Sequence, residues 1–290
     1  MKTLYAAARW TGLAVAVVLL TAPNTATVHA DDLAAIKERG YVRGVTANEK
    51  PYGYIDSEGK GAGIGPDVAA AVLAKLGIEK IEWTAVAFDG LIPGVKANRF
   101  DFSAAEQAIR PERCTQVQFS APTSSYTGNL LVKAGNPKNL RSYKDIVAKP
   151  GTKLAVIAGG TERLLDAYNI PQSDRVYLKS NADAIPALIS GRADAYHATE
   201  LTNYALAKLS PEVEVAEMTR DPVIDGKPYR NYGAFTFRKE DKDFYTAFNA
   251  ELIAFKKTDA YEKILTSYGL TRGSVEAARE ASTEALCAGK

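Results

Sequence analysis

Only two cysteines, Cys114 and Cys287, and only two histidines, His29 and His197, occur in 290 residues. A histidine or cysteine metal centre therefore lacks ligands, because His197 has no second histidine after residue 30. Two thiols allow one disulfide in an oxidising compartment, or else two unpaired cysteines. Charge of one sign is also missing. Once Lys2 and Arg9 in the N-terminal segment are set aside, 34 basic residues face 34 acidic ones. Such a balance argues against nucleic acid or an anionic membrane as the main partner. There is no P-loop and no complete dinucleotide fingerprint, so no nucleotide cofactor is expected. Internal repeats and low-complexity stretches are absent as well.

The one long apolar run lies at the N-terminus. Lys2 and Arg9 form a basic start, Thr11 to Thr21 an apolar stretch too short to span a bilayer, and Val28-His29-Ala30 a cleavage-type ending. The reading is an export signal over residues 1–30, with Asp31 as the first mature residue and no cysteine to carry a lipid. The remainder is long enough for two cores.

Beyond residue 30 the chain alternates between strand, loop and helix. A helix over 33–39 ends at Gly40, and a strand over Tyr41–Thr46 runs into the loop Asn48–Tyr54. A glycine-rich turn over Gly61–Gly65 leads to Asp67, a candidate cap for a helix over Val68–Leu76. A strand over Ile81–Val86, a helix over Leu91–Ala97 and a strand over Phe102–Ala105 come next. A second series starts near Tyr126, with strands over Gly128–Lys133, Lys153–Ile157, Val176–Leu178 and Arg192–Thr199, each followed by helical or turn residues. The strand Tyr232–Arg238, two helices and a polar tail over Ser274–Lys290 close the chain. The pattern predicts α/β layers with mainly parallel sheets, whose ligands sit beyond the carboxyl ends of the strands. Glu49, Tyr52, Phe88 and the segment Glu106–Arg113 all come directly after strands, so they are expected to converge on one edge.

Two stretches carry candidate chemistry. Arg113 stands in FSAAEQAIRPERCTQVQFSAP, between two apolar strands; a guanidinium there needs a partner, and a carboxylate fits its fork best. The plainer reading is a surface arginine paired with Glu112. Ala158-Gly159-Gly160-Thr161-Glu162 turns from strand to helix and would expose backbone N–H groups as an anion site, or would simply connect two elements.

In this order, the motifs FDGLIPGVKANRFDFSAA, RPERCTQVQFSAPT, GGTERLL and ALISGRADAYHATE resemble the periplasmic solute-binding proteins for polar amino acids. NEKPYGYID, RPERC and DPVIDGKPYRNYGAFTFRKEDKDF resemble the ectoine/hydroxyectoine-binding branch of that family. The resemblance implies a bilobal α/β fold whose two lobes are joined by two crossing hinge strands: residues 31–125 and 232–290 in lobe 1, and 126–231 in lobe 2. It implies a non-enzymatic, monomeric periplasmic receptor without cofactor. Such a receptor hands a small zwitterion to an inner-membrane ABC permease with a cytoplasmic ATPase.

Carried over by motif, Arg113 would clamp the ligand carboxylate from one lobe. Backbone N–H groups at Gly160 and Thr161, with the Thr161 hydroxyl, would hold it from the other. Tyr52 and Phe88 would supply aromatic faces to a cationic ring, and Glu49 would accept its N–H groups. Thr199 stands where the amino-acid binders carry an acid for a ligand ammonium, which favours a delocalised cation such as the ring of ectoine. Ala108 replaces an aromatic of the ectoine branch and Glu106 a small residue. A bulkier ligand, or one with a fuller positive charge met by Glu106, is therefore an alternative. A cyclohexadienyl dehydratase-like enzyme of the same fold, with Glu49 or Glu106 as acid or base, is the remaining alternative. A disulfide between Cys114 and Cys287 would tie the tail beside Arg113.

Overall fold

Alternating apolar side chains build two sheets, each with a core on both faces. The structure is a computed structural model that describes residues 32–219, 222–224 and 226–290; the expected export signal and Asp31 lie outside them. The first sheet has the order Ile81–Ala85, Val42–Thr46, Phe102–Ala108, Asn231–Phe237, Gln118–Phe119. Val42–Thr46 is parallel to both neighbours, and Asn231–Phe237 runs antiparallel to the strands beside it. Side chains pointing to one face, among them Val42, Phe102, Ala104, Phe235 and Phe237, join Phe244 and Phe248 in an aromatic core. Val45, Ala105 and Ala234 point to the other face and meet Leu91, Val95 and Phe119. That is the period of two expected for a strand with both faces covered.

The second sheet has the order Arg175–Leu178, Leu154–Ile157, Ala195–Thr199, Gly128–Lys133, Val213–Val215. Its first three strands are parallel and the last two pairings antiparallel. Leu130, Val132, Leu154 and Val156 pack on one side with Tyr143, Leu164 and Leu165, while Leu131, Ala155 and Tyr196 pack on the other with Leu188. The chain passes from the first layer to the second just after Ser124–Tyr126, which pairs antiparallel with the start of Asn231–Phe237, where it returns. Tyr126 itself packs into the first layer's core.

Several expectations change. The helix expected over Val68–Leu76 begins earlier, at Ile64, and ends at Lys75, with Gly63 at its N-cap (φ 112°). A Cβ on Gly63 would lie 2.6 Å from the Pro51 carbonyl oxygen, so the loop after Glu49 packs against the helix start only because that position is glycine. Asp67 is thus no cap; it sits in the first turn and accepts a 2.7 Å hydrogen bond from the Tyr268 hydroxyl. The strand expected over Phe102–Ala105 continues to Ala108, because Asn231–Phe237 supplies ladder partners that local sequence does not announce.

The loop before residue 230 contains a small hairpin, Val223–Ile224 with Lys227–Pro228. The polar tail is helical, as Arg272–Glu280 and Thr283–Cys287, each capped by a hydroxyl (Thr271 and Ser282). Val275 and Ala278 bury its inner face, and the disulfide Cys114–Cys287 pins its end across a separation of 173 residues.

Candidate functional site

The layers meet around a cavity with about 80 Å³ open to the centres of water-sized spheres. At roughly 10–15 Å³ per water centre this is room for a compact solute. Every residue singled out from the sequence lines it: Glu49, Tyr52, Phe88, Glu106, Ala108, Arg113, Gly160, Thr161 and Thr199.

Arg113 forms one end. It lies on the single helical turn Pro111–Cys114 and is 6% exposed, which excludes the surface pairing with Glu112. Its Nη1 donates to the Ala108 carbonyl at 2.9 Å and its Nη2 to the Gly159 carbonyl of the opposite layer at 2.6 Å. Burial, and then repulsion from Arg110, push its pKa down to about 10. Phe88 lines the cavity and lies under this guanidinium, whose Cζ is 5.4 Å from the ring centroid.

Sequence reasoning missed Arg110, the residue before the helical turn. Its Nη2 donates to the Gly160 carbonyl at 2.9 Å and to the Tyr229 hydroxyl at 2.7 Å, with Asn231 Oδ1 at 3.4 Å. Its spacing of three from Arg113 was a usable signal, since one short turn puts both at the same rim. Tyr229 and Asn231 come from the return crossing, and no local pattern marks them.

The turn expected to present free N–H groups is filled from within. Glu162 accepts from the Gly159 N–H at 2.7 Å and the Thr161 N–H at 3.0 Å, while the Gly160 N–H bonds the Ile157 carbonyl at 3.3 Å. An acid directly after the turn competes for the donors that glycines leave open. Thr161 is at the N-cap position, yet its side chain makes no cap bond.

Glu49 forms the other end. Its loop is held by mutual 2.8 Å hydrogen bonds between the Glu49 and Gly53 backbones and by the Ile64 and Gly65 N–H groups, which bond Pro51 and Tyr52 carbonyls. The Glu49 residue is partly buried, and desolvation raises its pKa against the hydroxyl contacts that lower it. Those hydroxyls, Thr199 Oγ1 at 3.1 Å and Thr202 Oγ1 at 2.9 Å, belong to the opposite layer. Thr199 is also an N-cap residue without a side-chain cap bond. Beside them Tyr52 is 1% exposed and meets Tyr126 edge-on, with centroids 5.1 Å apart. The Tyr52 hydroxyl makes no hydrogen bond of standard geometry, although Thr199 is close by.

Glu106 is at the wall but turns its carboxylate elsewhere. It interrupts the ladder between Phe102–Ala108 and Asn231–Phe237 with a φ of 50°. Its oxygens accept from Thr123 Oγ1 at 2.7 Å and from the Ser124 hydroxyl, both on the outgoing crossing. Burial raises its pKa to about 7. The expectation that Glu106 meets a ligand cation therefore gives way to a carboxyl bonded to the crossing strand. Ala108 contributes a small wall and the carbonyl that holds Arg113.

His197 is 9% exposed; its Nδ1 shares a 2.5 Å hydrogen bond with the Tyr143 hydroxyl. Burial drives its pKa down to about 3, so it is neutral at ordinary pH. Asp194 braces its strand by accepting from the Lys153 N–H at 2.8 Å and Lys138 Nζ at 2.7 Å. No group of three or more histidines, cysteines or acids able to hold a metal is found among the described residues.

Known proteins share this architecture. A probable amino-acid ABC transporter periplasmic-binding protein, y4tE of Sinorhizobium fredii (strain NBRC 101917 / NGR234), is 46% identical over 88% of this chain and 85% of its own length. ABC transporter arginine-binding protein 1 of Escherichia coli (strain K12) is 27% identical over 76% of this chain and 87% of its own. Among solved structures, EhuB in complex with hydroxyectoine superposes with a TM-score of 0.80 at 32% identity, covering 90% of this chain and all of the other. An ancestral amino-acid-binding protein described as a precursor of cyclohexadienyl dehydratase gives 0.70 at 30% identity, covering 82% and 99%. The two sheets are thus the two lobes of a bilobal binding-protein fold. The model of bacterial extracellular solute-binding proteins, family 3, matches residues 41–271, and the chain belongs to that family.

Proposed function

We propose that the protein is the periplasmic receptor of an ABC importer and that it captures a compact zwitterionic carboxylate between its lobes. The carrying observation is the polarity of the cavity: buried guanidinium groups at one end, and the partly buried, desolvated Glu49 carboxylate near Tyr52 and Tyr126 at the other. A zwitterion complements both ends at once, and its carboxylate suits the arginine fork. In this reading the lobes are residues 31–125 with 232–290 and residues 126–231, and the crossings at Ser124–Tyr126 and Asn231–Tyr232 act as the hinge. Glu49 bonds Thr199 and Thr202, and Arg113 bonds Gly159, so both ends of the cavity couple the solute to closure. The protein would work as a monomer after export, with a membrane permease and its ATPase as partners.

Ectoine or hydroxyectoine is one candidate. It is supported by the likeness to EhuB and by Thr199 in place of an acid. A polar amino acid is the other, favoured by Glu49, whose carboxylate at the cavity wall can receive a primary ammonium. Native mass spectrometry of the exported protein, followed by calorimetric titration with hydroxyectoine, ectoine, glutamine and arginine, distinguishes them. A co-purified solute without a carboxylate, and no heat from any of the four, would refute the reading. Chemical turnover of the bound solute would favour the dehydratase-like alternative.

A further inference from the structure

The anion end of the cavity holds more positive charge than one carboxylate neutralises. Arg110 is 7% exposed and Arg113 6%. Neither forms an ion pair with a carboxylate among the described residues; their partners are the Ala108, Gly159 and Gly160 carbonyls, the Tyr229 hydroxyl and the Asn231 amide oxygen. Those neutral oxygens satisfy donors without cancelling charge. Burial and then the neighbouring Arg110 cation lower the Arg113 pKa, while Tyr126, the exposed Glu112 and Tyr229 oppose the fall.

The acids of the cavity do not balance this end. Glu49 is bonded to Thr199 and Thr202 at the far end, and Glu106 turns to Thr123 and Ser124. Glu162 is bonded to the backbone of its own turn. A buried cation without a counter-charge is unfavourable, and planar guanidinium groups are matched best by carboxylates.

We propose that the solute carries two acidic groups, one for each of Arg110 and Arg113, together with a single cationic centre at Glu49. This rests on, and narrows, the reading of the protein as a receptor for a carboxylate. The cavity has room for a compact solute of this kind, such as an acidic amino acid or a small dicarboxylic imino acid.

Titration of the exported protein with matched pairs that differ by one carboxylate tests it: glutamate against glutamine, aspartate against asparagine, and an N-carboxyalkyl amino acid against its parent. At least one acidic member is expected to bind about tenfold or more tightly than its partner, the effect of one charge-assisted hydrogen bond. In Arg110→Gln that ratio falls toward one. Arg110 also latches the lobes, but loss of a latch lowers both members equally and leaves the ratio intact. An unchanged ratio in the variant would therefore overturn the proposal. Equal or tighter binding of the amides or of ectoine would overturn it too, while leaving the receptor reading standing. Silence from every pair, with a carboxylate-free solute co-purifying, would sink both.

Discussion

Replacing Glu106 by glutamine should remove a pH dependence of stability built into the crossing strands. The carboxyl is 2% exposed and sits against Thr123, Ser124 and Gly233, and its pKa is raised from 4.5 to about 7, chiefly by desolvation. A group that binds its proton more tightly when folded stabilises the fold fully below its unfolded pKa. That contribution is lost as the pH rises through the folded value. A shift of about 2.5 units at ~1.4 kcal/mol each amounts to roughly 3 kcal/mol, lost between about pH 4.5 and pH 8. Glutamine mimics the protonated acid in shape and can donate to Ser124.

Urea unfolding of both proteins from pH 4.5 to 8 measures the difference, in which groups common to both cancel. Lys256 is the exception near pH 8: its pKa is pushed down to about 8 by burial and then by Arg279, while Glu106 opposes that fall, so replacing Glu106 shifts its titration too. The variant should match the parent near pH 4.5 and exceed it by about 3 kcal/mol at pH 8. A stability difference that stays flat across this range would refute the reasoning.

Other substitutions probe the same framework. Gly233→Ala adds a Cβ 2.6 Å from both Glu106 Oε2 and Ser124 Oγ, so urea denaturation should show a loss of about 1–3 kcal/mol from overpacking. Serine at both Cys114 and Cys287 releases a 173-residue loop, which chain entropy values at about 5 kcal/mol; the reduced parent should melt at the same lowered temperature as the double variant. Arg113→Ala removes the donors to Ala108 and Gly159 and the cation over Phe88, and calorimetry should show solute affinity reduced at least about a hundredfold.

Much of this molecule is dictated by local pattern. The alternation in Val42–Thr46, Leu154–Ile157 and Gly128–Lys133 specifies strands with two buried faces, and the loops after Val42–Thr46, Ile81–Ala85 and Phe102–Ala108 bring Glu49, Phe88 and Arg113 to one side. Two cysteines in an exported chain predict one bridge, and the bridge is present. These features depend on residue type and on near neighbours, so the linear order contains them.

The linear order does not contain which way a side chain turns once several segments meet. Glu106 looks like a cavity acid until Thr123 and Ser124, from a strand met only through the fold, offer it hydroxyls. That Arg113 comes to rest over the Phe88 ring is likewise a product of the fold. The glycine turn looks like an open anion site until Glu162 folds back on it. Arg110 acquires its place only when Gly160, Tyr229 and Asn231 converge on it from three separate segments. Sequence determines which polar groups must be buried, because apolar periodicity sets what surrounds them. The choice of partner among those groups is a competition between hydrogen bonds, decided by the distances that only the assembled lobes create.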